Sequence, residues 1–395
     1  MTQVARPARS EDIDPDEGWS LPGWLYADPE YFAVEMERVI RPSWQVVCHE
    51  SDVPNPGDWH ALELLGERLI VVRGEDGRLR AFANVCRHRA MRLVEGQSGC
   101  AKKLVCPYHA WTYDLDGRLT GVPMKRDYPG LRLEDHGLAT YDLDLWRGFV
   151  FVRLAGSGPS VAEMMAPYDA EVAPYRFEDM KALGRVTLRP RAVNWKNVAD
   201  NYSDGLHIAV AHPGLKRLLG RSYGIEANAN VDKMWGEIAE APSANWSERL
   251  YQRLLPRVAH LPDDAQRRWL YFKLWPNVAF DIYPDQIDFM QFLPVSPTET
   301  LIREISYALP DDRREMRAAR YLNWRINRQV NAEDTWLITG VQQGMASSSY
   351  SVGPLGESEL CLRSFARRLR HLIPEARLHQ PPPPGWSQRP PVRAA

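Results

Sequence analysis

The chain of 395 residues is poor in sulfur, and its charges nearly cancel. Five cysteines, an odd number, make no disulfide ladder and fit reduced thiols in a cytoplasmic setting better than a secreted scaffold. The 49 Lys and Arg against 51 Asp and Glu leave a formal charge of −2, which argues against a nucleic-acid platform or a polybasic membrane surface. No run of about 18 apolar residues occurs, so no membrane span is expected. The opening MTQVARPARSEDIDPDEGWS has no apolar core and does not read as a secretory signal. No G-x-G-x-x-G follows a strand pattern, and no internal repeat is found. What remains is 44% hydrophobic and 25% charged, the composition of a soluble globular protein of one large domain or two ordinary ones.

The chain divides by texture. Residues 1–41 form a loose acidic tail and then PEYFAVEMERVIR, an amphipathic helix pattern. Over 42–155 short β-like runs such as GERLIVVRG, RLRAFANV and WRGFVFVRL alternate with turn chemistry at Asp76-Gly77 and Asp116-Gly117, predicting a small all-β module. Over 156–378 the runs RVTLRPRAV, YFKLW, NVAFDIY, DFMQFLPV and LIREISYAL predict an antiparallel sheet. Helical patterns at about 193–211, 312–343 and 357–372 flank it, giving an α+β fold with a meander between 270 and 308. Residues 379–395, HQPPPPGWSQRPPVRAA, are expected to stay an unpacked, disordered tail.

Two of the five cysteines and two of the ten histidines crowd into one stretch, as Cys86-x-His88 and Cys106-x-x-His109. A zinc site usually reads C-x₂₋₄-C then H-x₃₋₅-H, or four cysteines. Here each pair offers one sulfur and one nitrogen. That suits a [2Fe-2S] cluster with Cys86 and Cys106 on one iron and His88 and His109 on the other, the Rieske arrangement. Gly96, Gly99 and Pro107 lie in or beside the loops, where backbone amides are expected to approach the cluster sulfides. Cys48 and Cys361 read as core, and Cys100 as non-ligating.

A second cluster of ligand types follows in NWKNVADNYSDGLHIAVAHPGL, residues 194–215. His207 and His212 are five apart, about 140° around an ideal helix, so they share a metal only where the helix breaks. Pro213 favours such a break by pressing His212 towards extended backbone. Two histidines and one carboxylate make the facial triad of non-heme Fe(II) oxygen chemistry.

Together, Cys86-x-His88, Cys106-x-x-His109 and Asn201-x-x-Asp204-x-x-His207-x₄-His212 resemble the catalytic α subunit of Rieske non-heme iron oxygenases of the aromatic-ring-hydroxylating type. The resemblance runs over almost the whole chain, and implies a helix-grip catalytic domain behind the β module. It implies Asp334, ahead of Gln342, as the third iron ligand, with Glu333 beside it as the alternative. It implies Asn201 as a site residue and Asp204 as a bridge for electrons, accepting from the His207 ring N–H and reaching His109 of a neighbouring subunit. It also implies a head-to-tail homotrimer, and a separate reductase, with or without a ferredoxin, that passes on electrons from NADH. The short Asn201-x-x-Asp204 spacing resembles the monooxygenases and demethylases built of α subunits alone more than the ring dihydroxylases. The substrate pocket is expected over the iron, lined by Tyr202, Phe280, Ile282, Phe289 and Phe292. Such a lining suits an aromatic or hydrophobic compound, or a quaternary ammonium held by cation–π contact. A bare electron carrier and a zinc-stapled scaffold are the rival classes; the length of the chain argues against the first.

Overall fold

The computed structural model describes residues 18–220 and 222–388. The acidic tail before Gly18 and the last seven residues of the proline-rich tail lie outside the described residues.

The β module forms where the alternating runs placed it. Its main sheet has seven antiparallel strands in the order Gln45–His49, Phe149–Arg153, Thr140–Trp146, Leu79–Ala83, Glu67–Arg73, Asp58–Leu64, Ser98–Cys100. The edge strand Gln45–His49 and its neighbour Phe149–Arg153 are buried along their whole length against the second module, so they show apolar runs rather than alternation. A smaller sheet of Leu104–Val105, Thr112–Tyr113 and Leu119–Gly121 carries the second Cys/His loop.

The second module is built on an eight-stranded antiparallel sheet. Gly224–Ala227, Val231–Glu237, Arg268–Leu274, Val278–Ile282, Ile287–Ser296 and Glu299–Ala308 follow one another as neighbours, extending the expected meander by two strands. Thr187–Arg191 pairs with Glu299–Ala308 at the edge. Side chains alternate across the sheet. Phe272, Phe280, Ile282 and Phe289 point to one face and join Phe149, Phe151 and Phe177 in the largest apolar core, where the two modules meet. Each such side chain is worth about 1.5–3 kcal/mol in removed apolar surface. Between the modules, Arg303 is buried and donates to the carbonyls of Val46 and Val47 at 3.1 and 2.6 Å. Gln45 and Asn277 bond across the same boundary at 2.9 Å.

Helices cover the other face. Trp195–Ser203 starts on Asn194, whose side chain accepts from the amide of Lys196, and stops at Asp204 in extended backbone. The expected single helix over 193–211 is therefore broken: a short turn Ile208–Ala211 follows, then Pro213–Leu219, with His212 between them. Arg314–Met345 and Leu360–Leu372 match the other two helical patterns closely. Gln342 clasps the long helix to Trp195–Ser203. Its Oε1 accepts from the Asn194 amide and from Asn197 Nδ2, both at 2.8 Å, and its Nε2 donates to the Tyr26 carbonyl at 3.1 Å.

The expectation of an unpacked tail is corrected as far as Gln388. Trp386 is buried in the cluster that holds Leu25, Tyr31 and Ile40. The amides of Gly385 and Ser387 donate to the Glu30 carboxylate at 2.9 and 2.7 Å. Proline forbids helix and sheet ladders, yet one tryptophan and one carboxylate suffice to pin such a segment.

Candidate metal centres and cavity

The two Cys/His loops are near copies. The amide of Cys86 donates to the carbonyl of Met91 at 2.8 Å, and that of Cys106 to Trp111 at 2.9 Å. In each loop the fourth residue on returns its amide to the cysteine carbonyl, Ala90 at 3.0 Å and Ala110 at 2.9 Å. Both alanines take left-handed backbone, φ 60° and 54°, a strained conformation for a residue with a Cβ. The loops therefore present their ligands in matched poses. Cys86 and Cys106 are buried, and the rings of His88 and His109 lie 4.6 Å apart between centroids. Nδ1 of each ring is buried without a hydrogen-bond partner. A buried, unpaired ring nitrogen is costly unless it binds something. Two of them beside two buried thiols fit a cluster with nitrogen on one iron and sulfur on the other. Tyr113 Oη lies 3.5 Å from Cys86 Sγ and accepts from the Arg87 amide at 3.0 Å, a contact of the kind that tunes a cluster's potential. Trp111 stacks on His88 at 4.9 Å. Gly99 stands against the Trp59 ring, where a Cβ would lie 2.4 Å from it, and Gly96 makes a turn at φ 88°. Ala90 and Ala110 hold left-handed positions within the two ligand loops, and Gly96 holds one in the stretch between them.

The second centre lies under the long helix. Among the described residues, His207, His212 and Asp334 are the one group of three or more His, Cys, Asp or Glu compact enough to share a single ion, their ligand atoms all within 4.8 Å of one another. His207 Nε2 is 3.0 Å from His212 Nε2, and Asp334 Oδ1 is 3.6 and 2.9 Å from the two. The opposite nitrogens are engaged: His207 Nδ1 with Asp204 Oδ2 at 3.0 Å, and His212 Nδ1 with Glu333 Oε2 at 2.8 Å. A carboxylate accepts, so each Nδ1 carries the proton and each Nε2 turns a lone pair inward. Asp334 Oδ1 has no hydrogen-bond donor. Three acceptors facing one point are reconciled by a cation, and this donor set fits Fe(II).

The electrostatics show how strongly this point draws positive charge, a proton where no metal ion competes for it. Burial alone would lower the proton affinity of His207, but the Asp204 and Asp334 carboxylates outweigh it and hold its pKa up at about 9. Burial would raise Asp334, and the two imidazoles bring it below the usual carboxylate range. Asn201 Nδ2 stands 3.4 Å from His207 Nε2. Glu333, the alternative ligand, is drawn to the far side of His212. It was illegible in that role because adjacent helical residues point about 100° apart, and its partner is 121 positions away.

A cavity of about 950 Å³ opens beside the centre, with His207, His212 and Asp334 in its wall. Tyr202 lines it; Phe280, Ile282, Phe289 and Phe292 do not. The first three belong to the opposite, core face of the sheet, and Phe292 packs beneath the Tyr202 ring at 5.7 Å. Strand parity decides this: residues one position away, Asp281 and Asp288, with Tyr271, face the cavity. Arg189, Arg191 and Glu304 continue that wall and Ile208, Leu215, Met290, Ile305 and Trp324 line other parts, so the cavity combines charge and tyrosine with apolar side chains other than the expected ones. A smaller, mostly apolar cavity of about 270 Å³ reaches Asp204 and His207 from another side, between Tyr26, Leu337, Val341 and Met345.

Residues 43–142 match the family model of the Rieske [2Fe-2S] domain, and residues 177–375 that of the ring hydroxylating alpha subunit catalytic domain. The carnitine monooxygenase oxygenase subunit of Escherichia coli (strain K12) is 29% identical over 346 residues, covering 85% of this chain and 87% of that protein. The glycine betaine monooxygenase oxygenase subunit of Chromohalobacter salexigens is 29% identical, covering 89% and 85%. Among solved structures, a quaternary ammonium Rieske monooxygenase bound to an inhibitor superposes with a TM-score of 0.76 at 25% identity, covering 91% and 96% of the two chains. Naphthalene 1,2-dioxygenase from Rhodococcus sp. shares the fold, with a TM-score of 0.72 at 20% identity and 89% and 94% coverage. The matched loops, the converging triad and these likenesses lead to one assignment: the chain belongs to the Rieske, ring-hydroxylating family of non-heme iron oxygenases, as a catalytic α subunit carrying a [2Fe-2S] cluster and a mononuclear iron.

Proposed function

We propose that this terminal oxygenase hydroxylates or N-demethylates a small, charged organic compound, with Cys86, His88, Cys106 and His109 holding the cluster and His207, His212 and Asp334 the single iron. The observation that carries the reading is the convergence of His207 Nε2, His212 Nε2 and Asp334 Oδ1 in the wall of the cavity. When bound, the iron supplies activation of O₂ and the cluster supplies electrons singly. The protein's residues do the placing. Asp204 and Glu333 hold the Nδ1 protons and so fix both imidazole tautomers. Asn201 faces the same ring nitrogen as the ion. Gln342 fixes the long helix, and with it Asp334, against the segment that leads to the histidines.

The charged cavity wall favours N-demethylation over attack on an aromatic hydrocarbon, because a hydrocarbon would desolvate carboxylates without replacing their partners. The relatives named for carnitine and glycine betaine point the same way. Electrons come from NADH through a separate reductase, with or without a ferredoxin, in a cytoplasmic setting. Among the described residues no helix is long and apolar enough to cross a membrane.

A homotrimer closes the electron path in this reading: Asp204, at the smaller cavity, receives the cluster loop of the next copy. Exposed Leu206, Val210 and Trp336 near the centre, and exposed Val105 and Tyr108 at the second loop, support contact between those faces. Light scattering is expected to give three chains per particle. The decisive test is reconstitution with iron and a reductase, followed by O₂ and NADH consumption on N-methylated and on aromatic compounds. Uptake that no compound stimulates would refute an oxygenase role.

A further inference from the structure

The hairpin Val278–Ile282 to Ile287–Ser296 puts Asp281 directly opposite Asp288 in the antiparallel register. Both carboxylates are buried and both line the large cavity. Like charges at such a cross-strand pair oppose each other and destabilise the sheet. Their hydrogen-bond donors are neutral. Tyr202 gives its hydroxyl to Asp281 Oδ1 at 2.5 Å, Tyr283 gives its own to Oδ2 at 3.3 Å, and Gln286 Nε2 donates to Asp288 Oδ1 at 3.0 Å. Arg189, whose charge reaches both acids, is paired with Glu304. Two buried acids are thus assembled at a cavity wall where, among the described residues, Arg189 is the one cation whose charge reaches both, although Arg185, Arg191, Arg320 and Arg328 also line the cavity. Burial, the largest influence on each, raises their proton affinities and leaves the wall receptive to positive charge.

The cavity also brings the rings of Tyr202, Tyr223 and Tyr271 to this wall. A permanently methylated ammonium can use those ring faces but gives no proton to a carboxylate. A cation bearing N–H satisfies both: charge against the acids, and a charge-assisted hydrogen bond to an oxygen that burial has stripped of water.

Resting on the oxygenase reading above, we infer that Asp281 and Asp288 form a cation subsite of the cavity that selects a protonated secondary or tertiary amine over its quaternary analogue. Relatives named for quaternary ammonium compounds would differ from this chain in that respect. The subsite lies beside Tyr202, which follows Asn201 and belongs to the helix leading to the metal-binding histidines, so a bound N-alkyl group shares the chamber with the iron.

The test is calorimetric binding to the oxidised holoenzyme, without reductase or turnover. The probes are 4-(dimethylamino)butyrate and 4-(trimethylammonio)butyrate, which differ by one methyl in place of the N–H. The dimethylamino probe is expected to bind at least about tenfold tighter, the value of a charge-assisted hydrogen bond. Asp281→Asn and Asp288→Asn should each erase that preference while the cluster absorption stays intact. Asp285→Asn, a buried acid of the same hairpin outside this cavity's wall, should keep it. Equal or reversed affinities, no saturable binding of the dimethylamino probe, or a preference that survives both substitutions would each overturn the subsite. Because binding is read without turnover, loss of the oxygenase reading shows separately, as a preference retained in a protein that consumes no O₂ with any compound.

Discussion

Replacing Asp281 with Asn should make the protein more stable at high pH while weakening its grip on a cation. Asp281 is 8% exposed, and burial, with Asp288 opposite, pushes its pKa from an ordinary 3.8 up to about 7. A carboxyl with raised affinity in the folded state binds more protons folded than unfolded, so its ionisation costs stability as pH rises. The cost is absent below about pH 4, grows through the interval up to about pH 7, and is complete above it. A tenfold difference in proton affinity is about 1.4 kcal/mol, so the full cost is on the order of 4 kcal/mol. Between about pH 5 and about pH 8 the part that accrues is roughly 2–3 kcal/mol. Asparagine keeps an oxygen for the Tyr202 hydroxyl and removes the charge. Its unfolding midpoint, relative to the parent, should therefore climb steadily over that interval. Denaturant melts followed by tryptophan fluorescence at several pH values, each on cluster-loaded protein, measure it. Parallel midpoints for the two proteins from about pH 5 to about pH 8 would refute the argument, because then no charge is being forced into that wall.

Three further outcomes test the metal centres. His207→Ala should lose the single iron, keep the brown cluster with its characteristic EPR signal after reduction, and reduce substrate-dependent O₂ uptake to background; surviving turnover would show that the iron is held elsewhere. Glu333→Gln replaces the anionic acceptor at His212 Nδ1 with a neutral amide and should weaken ferrous ion binding about 10- to 100-fold, read by titration of cluster-loaded protein. Asp204→Asn should retain both metals and yet slow reoxidation of the prereduced cluster in the presence of substrate by about tenfold or more, read by stopped-flow absorbance; an unchanged rate would remove Asp204 from the electron path.

The ligand loops were legible because a metal demands particular atoms at short, local spacings, and Cys86-x-His88 and Cys106-x-x-His109 state that demand in the sequence itself. The break at His212 was legible through Pro213, whose effect on it is steric and local, whereas the earlier stop at Asp204, inside the expected 193–211 helix, was not. Asp334 needed the family likeness, since its nearness to His212 depends on how a helix over a hundred residues away is docked, and the Gln342 clasp that docks it spans 148 positions. The cavity wall failed for a different reason. Choosing Phe280, Ile282, Phe289 and Phe292 assumed that a pocket for an organic compound must be apolar. In the stretch FDIYPDQIDF, residues 280–289, phenylalanine and isoleucine alternate with aspartate on both sides of the turn. Period-two alternation puts the apolar residues together on one face and the acids together on the other. An acid does not face inward on a central strand without a purpose, since burying it costs free energy that an apolar side chain would save. The acids, not the aromatic rings between them, were therefore the sequence's sign of the site.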